Sequence, residues 1–221
     1  MSDADGSQLI RMSDIKSSES GTPRWSRDSQ KIAFDSRHSG HPEIYIVDIS
    51  ERMPREVVTN LPEMSTPSWS HDGKWLYFQS GASQKGTTKI FRCPVNGGDA
   101  VALSQESGGY PVESYDRETL YLVKGGRAPT TNTLPLKSQG AVTALTGMPA
   151  VSDQSLWTVV PGLYFVPMEA PTSVQYFDFA TKHVRQVFGF ERNFVNGLSV
   201  SPDGRWLLYT GGQGKQLHHA C

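Results

Sequence analysis

Apolar side chains in this chain come in short bursts: KIAFDS (31–36), EIYIVDI (43–49), KWLYFQS (74–80), TLYLVK (119–124), GLYFV (162–166), VQYFDF (174–179) and RWLLYT (205–210). Polar breaks rich in Gly, Pro, Ser and Asp separate them. The bursts favour the large aromatic and β-branched types that suit a pleated, half-buried surface. No segment sustains an apolar stripe of helical period. The pattern predicts an all-β chain of short strands joined by turns.

The bursts recur. Pro23–Ser36 (PRWSRDSQKIAFDS), Pro67–Ser80 (PSWSHDGKWLYFQS) and Pro111–Lys124 (PVESYDRETLYLVK) align with their prolines 44 residues apart. One apolar position runs Ala33, Tyr77, Tyr121, Tyr164, Tyr209, in steps of 44, 44, 43 and 45. A period of about 44 lies in the range of four-stranded propeller blades. The second unit shows the plan. Strand a is Pro67–Ser70, a tight turn follows at His71-Asp72-Gly73-Lys74, and strand b is Trp75–Gln79. Gly81–Thr88 is a polar b–c loop, Lys89–Val95 is strand c, Asn96-Gly97-Gly98 is a hairpin turn, and Asp99–Leu103 is strand d.

Four full blades are expected at about 23–60, 67–104, 110–147 and 150–190, with partial blades at 1–12 and 196–210. The end fragments could pair into a composite blade that closes a ring. An incomplete propeller, an open arc, is the favoured reading, because the composite blade would lack strand c. Residues 211–221 (GGQGKQLHHAC) break the pattern and are expected to form a disordered tail.

The segments PRWSRDSQKIAFDS…EIYIVDI, PSWSHDGKWLYFQS…KIFRCPVNGG and LSVSPDGRWLLYT resemble TolB-type propeller repeats, which read P-x-W-S-x-D-G-x-x-I-x-F before a strand such as IYVMD. The resemblance covers about residues 2–210. Asp28-Ser29 and Asp116-Arg117 depart from Asp-Gly, and the fourth unit shortens its a–b turn to Pro161-Gly162. The closing stretch, from VQYFDFATKHVRQV to GLSVSPDGRWLLYT, is similar to the C-terminal propeller of bacterial CadC-like winged-helix regulators. That resemblance implies a sensory or interaction domain separated from its output domain, in a periplasmic or membrane-tethered setting. TolB-like propellers also gate prolyl oligopeptidases.

Charge and composition remove several classes. Net charge is −1 over 221 residues, without the basic excess that displaces counterions from nucleic acid, so direct nucleic-acid contact by this segment is not expected. No apolar run approaches the roughly 18–20 residues that span a bilayer, so membrane insertion by this segment is not expected either. Two distant cysteines, Cys93 and Cys221, make no disulfide framework. MSDADGSQLI lacks the regions of a signal peptide, and Met1 falls inside a repeat unit, so it is not expected to be the natural start.

Candidate chemistry is sparse. The chain contains no G-x-S-x-G nucleophile elbow. Gly81–Thr88 has the glycine spacing of a phosphate loop, yet its flanks are strands rather than a helix N-terminus. Asp3-Ala4-Asp5-Gly6 resembles the start of a calcium loop without its later ligands. His38 and His41 share a loop but lack a third ligand, and His218, His219 and Cys221 are assigned no role. Trp25, Trp69, Trp75 and Trp206 recur at repeat positions and are expected in packing between blades. No catalytic, cofactor-binding or metal-ligating residue is assigned.

In a propeller the b–c and d–a loops share one face, where variation leaves the blades intact. The b–c loops Arg37–Pro42, Gly81–Thr88 and Gly125–Thr131 carry Arg37, His38, His41, Lys85 and Arg127 with few acids. They predict a positive rim that receives an acidic peptide, a partner surface or a small anion. The chain is therefore expected to be a non-enzymatic interaction or ligand-sensing module. The alternative is the gating propeller of a serine peptidase whose catalytic domain lies outside these residues.

Overall fold

In the computed structural model the described residues are 12, 14–15, 19–81, 88–125, 129–137, 140–151, 158–159, 162–169, 171–189, 196–200, 206–211 and 214–219. Among them there is no helix. The first sheet is β1 (Ser20–Trp25), β2 (Lys31–Ser36), β3 (Glu43–Asp48) and β4 (Pro54–Glu56). The second is β5 (Ser65–Trp69), β6 (Trp75–Ser80), β7 (Lys89–Pro94) and β8 (Val101–Ser107). The third is β9 (Gly109–Glu113), β10 (Thr119–Lys124), β11 (Thr130–Pro135) and β12 (Thr143–Ala144). The fourth is β13 (Thr158–Val159), β14 (Gly162–Phe165), β15 (Ser173–Asp178) and β16 (Val184–Gly189). A last sheet has three strands, β17 (Asn196–Val200), β18 (Trp206–Gly211) and β19 (Gly214–His219). Every sheet is an antiparallel meander in chain order.

The a–b turn is built the same way in the first three blades. Ser26, Ser70 and Ser114 are buried. Each hydroxyl donates to the Asp two residues on, at 2.6, 2.7 and 2.5 Å. It also accepts the N–H of the first strand-b residue, from Lys31, Trp75 and Thr119, at 2.9, 2.9 and 3.0 Å. Each Asp accepts a second hydrogen bond, from the N–H of Gln30, Lys74 and Glu118, at 3.0 Å. The residue after the Asp is left-handed in all three, Ser29 (φ 58), Gly73 (φ 69) and Arg117 (φ 63). The two departures from Asp-Gly thus keep the glycine conformation, at a steric cost that side-chain bonding offsets.

Alternation along strand b packs the blades face to face. Leu76 and Phe78 join Ala33, Ile44 and Ile46 between the first two blades. Tyr77, on the opposite face of β6, joins Leu120, Leu122 and Leu134 between the second and third. Tyr121 and Val123 meet Leu163, Phe165 and Phe177, and Tyr164 and Val174 meet Leu198 and Leu207. Successive blades of this open, partial propeller are therefore joined by apolar layers. The opposite face of the first blade carries Phe34, Tyr45 and Val47, against which Met12 and Ile15 pack.

Polar bonds fix the same joints. The Trp69 indole donates to the Arg24 carbonyl at 2.9 Å, and the Arg55 guanidinium to the Val95 carbonyl at 2.9 Å. Gly97 (φ 87) lies so close to the first blade that a Cβ there would stand 2.7 Å from the Val58 carbonyl oxygen.

Two expectations are corrected. Trp25 occupies the position of Trp69 but is 45% exposed, since no blade covers that side of the first sheet among the described residues. Gly214–His219, expected within a disordered tail, is β19, paired along β18 from Trp206↔His219 to Gly211↔Gly214. Ladder bonds come from the main chain, so the free edge of β18 recruits a segment with no apolar alternation. Residues 220–221 lie outside the described residues, as do 1–11.

Candidate functional site

The expected rim is only partly within the described residues. Lys85 and Arg127 lie outside them. Arg37, His38 and His41 lie in the loop between β2 and β3, on the face of the b–c loops. There Arg37 Nε stands 3.0 Å from Glu19, and His41 Nδ1 stands 3.5 Å from Glu43. Two of the expected cations thus face carboxylates that lie outside the b–c loop itself, and the loop's composition did not reveal them. His38 lines a groove of about 400 Å³ together with Asp14, Ile15, Arg52, Met53 and Pro54. Among the described residues no three His, Cys, Asp or Glu side chains converge as metal ligands would.

The opposite face, where the a–b turns emerge, holds a tighter constellation. The variable residue of each Ser-x-Asp turn is Arg27, His71 and Tyr115, separated by 44 residues each time. The structure brings the three together. The Arg27 guanidinium lies over the Tyr115 ring, 5.3 Å from its centroid. The His71 ring meets Tyr115 edge-on at 5.9 Å. Tyr115 is nonetheless 58% exposed.

Glu113, at the end of β9, anchors this cluster from beneath by accepting the His71 backbone N–H across the blade boundary. Burial pushes the Glu113 carboxyl above its ordinary range, against the opposing effect of that bond. His71 is held below its ordinary value, first by desolvation and then by Arg27 and Arg117, whose push precedes the opposing pull of Asp72. Asp28, Asp72 and Asp116 are all held low, in each case first by the turn serine's hydroxyl. Sequence reasoning missed this site because it treated the Ser-x-Asp segments as turns and did not compare their middle residues.

Antiparallel four-stranded sheets of 44-residue spacing, stacked through apolar layers with loops and turns at opposite ends, define a β-propeller domain. The chain belongs to the TolB β-propeller family, whose TolB beta propeller domain matches residues 3–148. It is similar in structure to TolB from Acinetobacter baumannii, with a TM-score of 0.73 and 21% identity over 99% of this chain. The chain spans 56% of the length of that protein. The putative TolB from Agrobacterium tumefaciens gives a TM-score of 0.67 and 16% identity, over 86% of this chain and 69% of that one. A puromycin-hydrolyzing peptidase from Mycobacterium tuberculosis gives 0.64 and 16%, over 88% of this chain and 33% of that one. At such identities the likeness is one of fold.

Proposed function

We propose that this chain is a non-enzymatic recognition module that receives a protein or a small anionic ligand on its loop face. In this reading it is the sensory or scaffold part of a larger bacterial regulator of the CadC-like kind, or of an envelope protein. The observation that supports it is the first b–c loop, where Arg37 and His41 stay half exposed beside the groove at His38. Loops anchored on rigid blades can carry specificity without reshaping the core. Arg37, His38, His41, Lys85 and Arg127 would then form the rim that meets the partner. Charge reversal at Arg37 and Arg127 should abolish binding of an acidic peptide at that rim, and unchanged binding there would reject it.

The second reading, a gating propeller of a serine peptidase, draws on the fold shared with the puromycin-hydrolyzing peptidase, of which this chain covers 33%. The coding sequence on both sides of these residues separates the two. A winged helix and a membrane span upstream favour the regulator. An α/β-hydrolase domain with G-x-S-x-G downstream favours the peptidase.

A further inference from the structure

We infer that Asn96-Gly97, in the connection between β7 and β8, is a site of spontaneous covalent modification, and that turning Asn96 into isoaspartate unlocks the joint between the first two blades. The inference goes beyond the recognition reading and uses none of the rim residues.

Three observations carry it. Asn96 is exposed, and the residue after it has no side chain to shield the main-chain nitrogen from its carboxamide. Gly97 is fixed by packing as well as by its φ of 87. A Cβ there would stand 2.7 Å from the Val58 carbonyl oxygen, which is main chain and cannot rotate away. The joint thus keeps an unhindered amide beside Asn96. The same hairpin also carries polar bonds of that joint. The Arg55 guanidinium donates to the Val95 carbonyl, the Gly98 N–H to the Val58 carbonyl and the Ala100 N–H to Asn60 Oδ1, each at 2.9 Å.

The chemistry balances with water alone. The Gly97 nitrogen, giving its proton to hydroxide, attacks Asn96 Cγ. A nitrogen–carbon bond forms, the carboxamide C–N bond breaks, and ammonia departs to leave a five-membered succinimide. Water then opens the ring. Cleavage at the Asn96 main-chain carbonyl gives isoaspartate, whose chain runs through Cβ and Cγ, and cleavage at Cγ gives aspartate. One water enters, one ammonia leaves, and either product carries a new carboxylate. Isoaspartate adds a carbon to the main chain just before Gly97, where the Val58 carbonyl already excludes a methyl group. Gly97 must then move and carry Gly98 with it, so the Gly98–Val58 bond is lost. In the intact hairpin the Gly97 N–H donates to the Pro94 carbonyl at 2.9 Å. That bond has to open before the nitrogen attacks, so the reaction follows local opening of the hairpin.

The test is ageing of the purified full chain in mild alkali, native and in concentrated urea, with mass spectrometry of the tryptic peptide Cys93–Arg117, whose one asparagine is Asn96. All proteins compared carry Asn196→Gln, which removes the chain's other Asn-Gly step. Conversion is expected in both states, faster in urea, with the isoaspartate identified by isoaspartyl methyltransferase labelling. The native product, separated by its added negative charge, should have a lower urea midpoint than fresh protein. Asn96→Asp adds the charge without the carbon and should keep the original midpoint. Asn96→Gln, whose longer arm closes the ring poorly, should neither convert nor lose stability. An unconverted native chain beside a converted unfolded one would overturn the site. Equal rates in the two states would overturn its dependence on hairpin opening. An isoaspartate form with an unchanged midpoint, or an Asn96→Asp variant that loses as much, would overturn the unlocking.

Discussion

Replacing Ser70 by Ala isolates the bond that repeats through the blades. Ser70 is buried, its Oγ accepts the Trp75 N–H at 2.9 Å, and its O–H donates to Asp72 at 2.7 Å. Alanine leaves the part-buried Trp75 N–H without that acceptor, a loss of about 1–3 kcal/mol, and removes a hydroxyl–carboxylate bond that solvent screening at the exposed Asp72 limits to about 0.5–1.5 kcal/mol. The summed loss is about 1.5–4.5 kcal/mol, or roughly 3–18 °C in Tm for a chain of this size. Urea unfolding of the purified chain, followed by tryptophan fluorescence, measures it. Ser26→Ala and Ser114→Ala make the same two bonds disappear in their own blades and should give similar losses. The Asp72 carboxyl, relieved of its main hydrogen-bond donor, should also titrate at higher pH in Ser70→Ala. A loss below about 0.5 kcal/mol, the range of ordinary surface substitutions, would refute the idea that these hydroxyls hold the turns.

Phe78 is fully buried between the first two blades, so Phe78→Ala should destabilise by about 3–5 kcal/mol in the same assay, through lost transfer energy and the cavity left behind. Stability should also fall in acid. Folded Asp28, Asp72 and Asp116 sit below the ordinary carboxyl range and Asp48 is pulled down to about 2, first by the Ser50 hydroxyl. A depressed folded pKa contributes stability above the unfolded value, near 4, and loses it as pH drops through the folded one. Between neutral pH and about 5 the lowered His71 removes stability on acidification and the raised Glu113 restores it, and below about pH 4 protonation of the four aspartates should make the urea midpoint decline. A flat profile down to about pH 2 would show that these bonds do not depend on ionised carboxylates.

Sequence alone marked the second strand of each of the first three blades. Turn chemistry and alternation act over a few residues, so Ser-x-Asp before KIAFDS, KWLYFQS and TLYLVK was enough to place β2, β6 and β10 within a residue. The 44-residue spacing of Pro23, Pro67 and Pro111 carried the rest of the all-β reading. What depended on partners distant in sequence was not legible. The Glu19 beside Arg37 comes from outside the loop that bears the arginine, so the rim's composition overstated its free charge. Trp25 and Trp69 share a repeat position, yet among the described residues only Trp69 has a blade in front of it. β19 forms because β18 offers an unpaired edge, a property of the sheet rather than of the segment Gly214–His219. Arg27, His71 and Tyr115 meet only because stacking the blades turns a spacing along the chain into contact across it. Local interactions write themselves into the sequence, whereas contacts across blade boundaries exist only once the blades are packed.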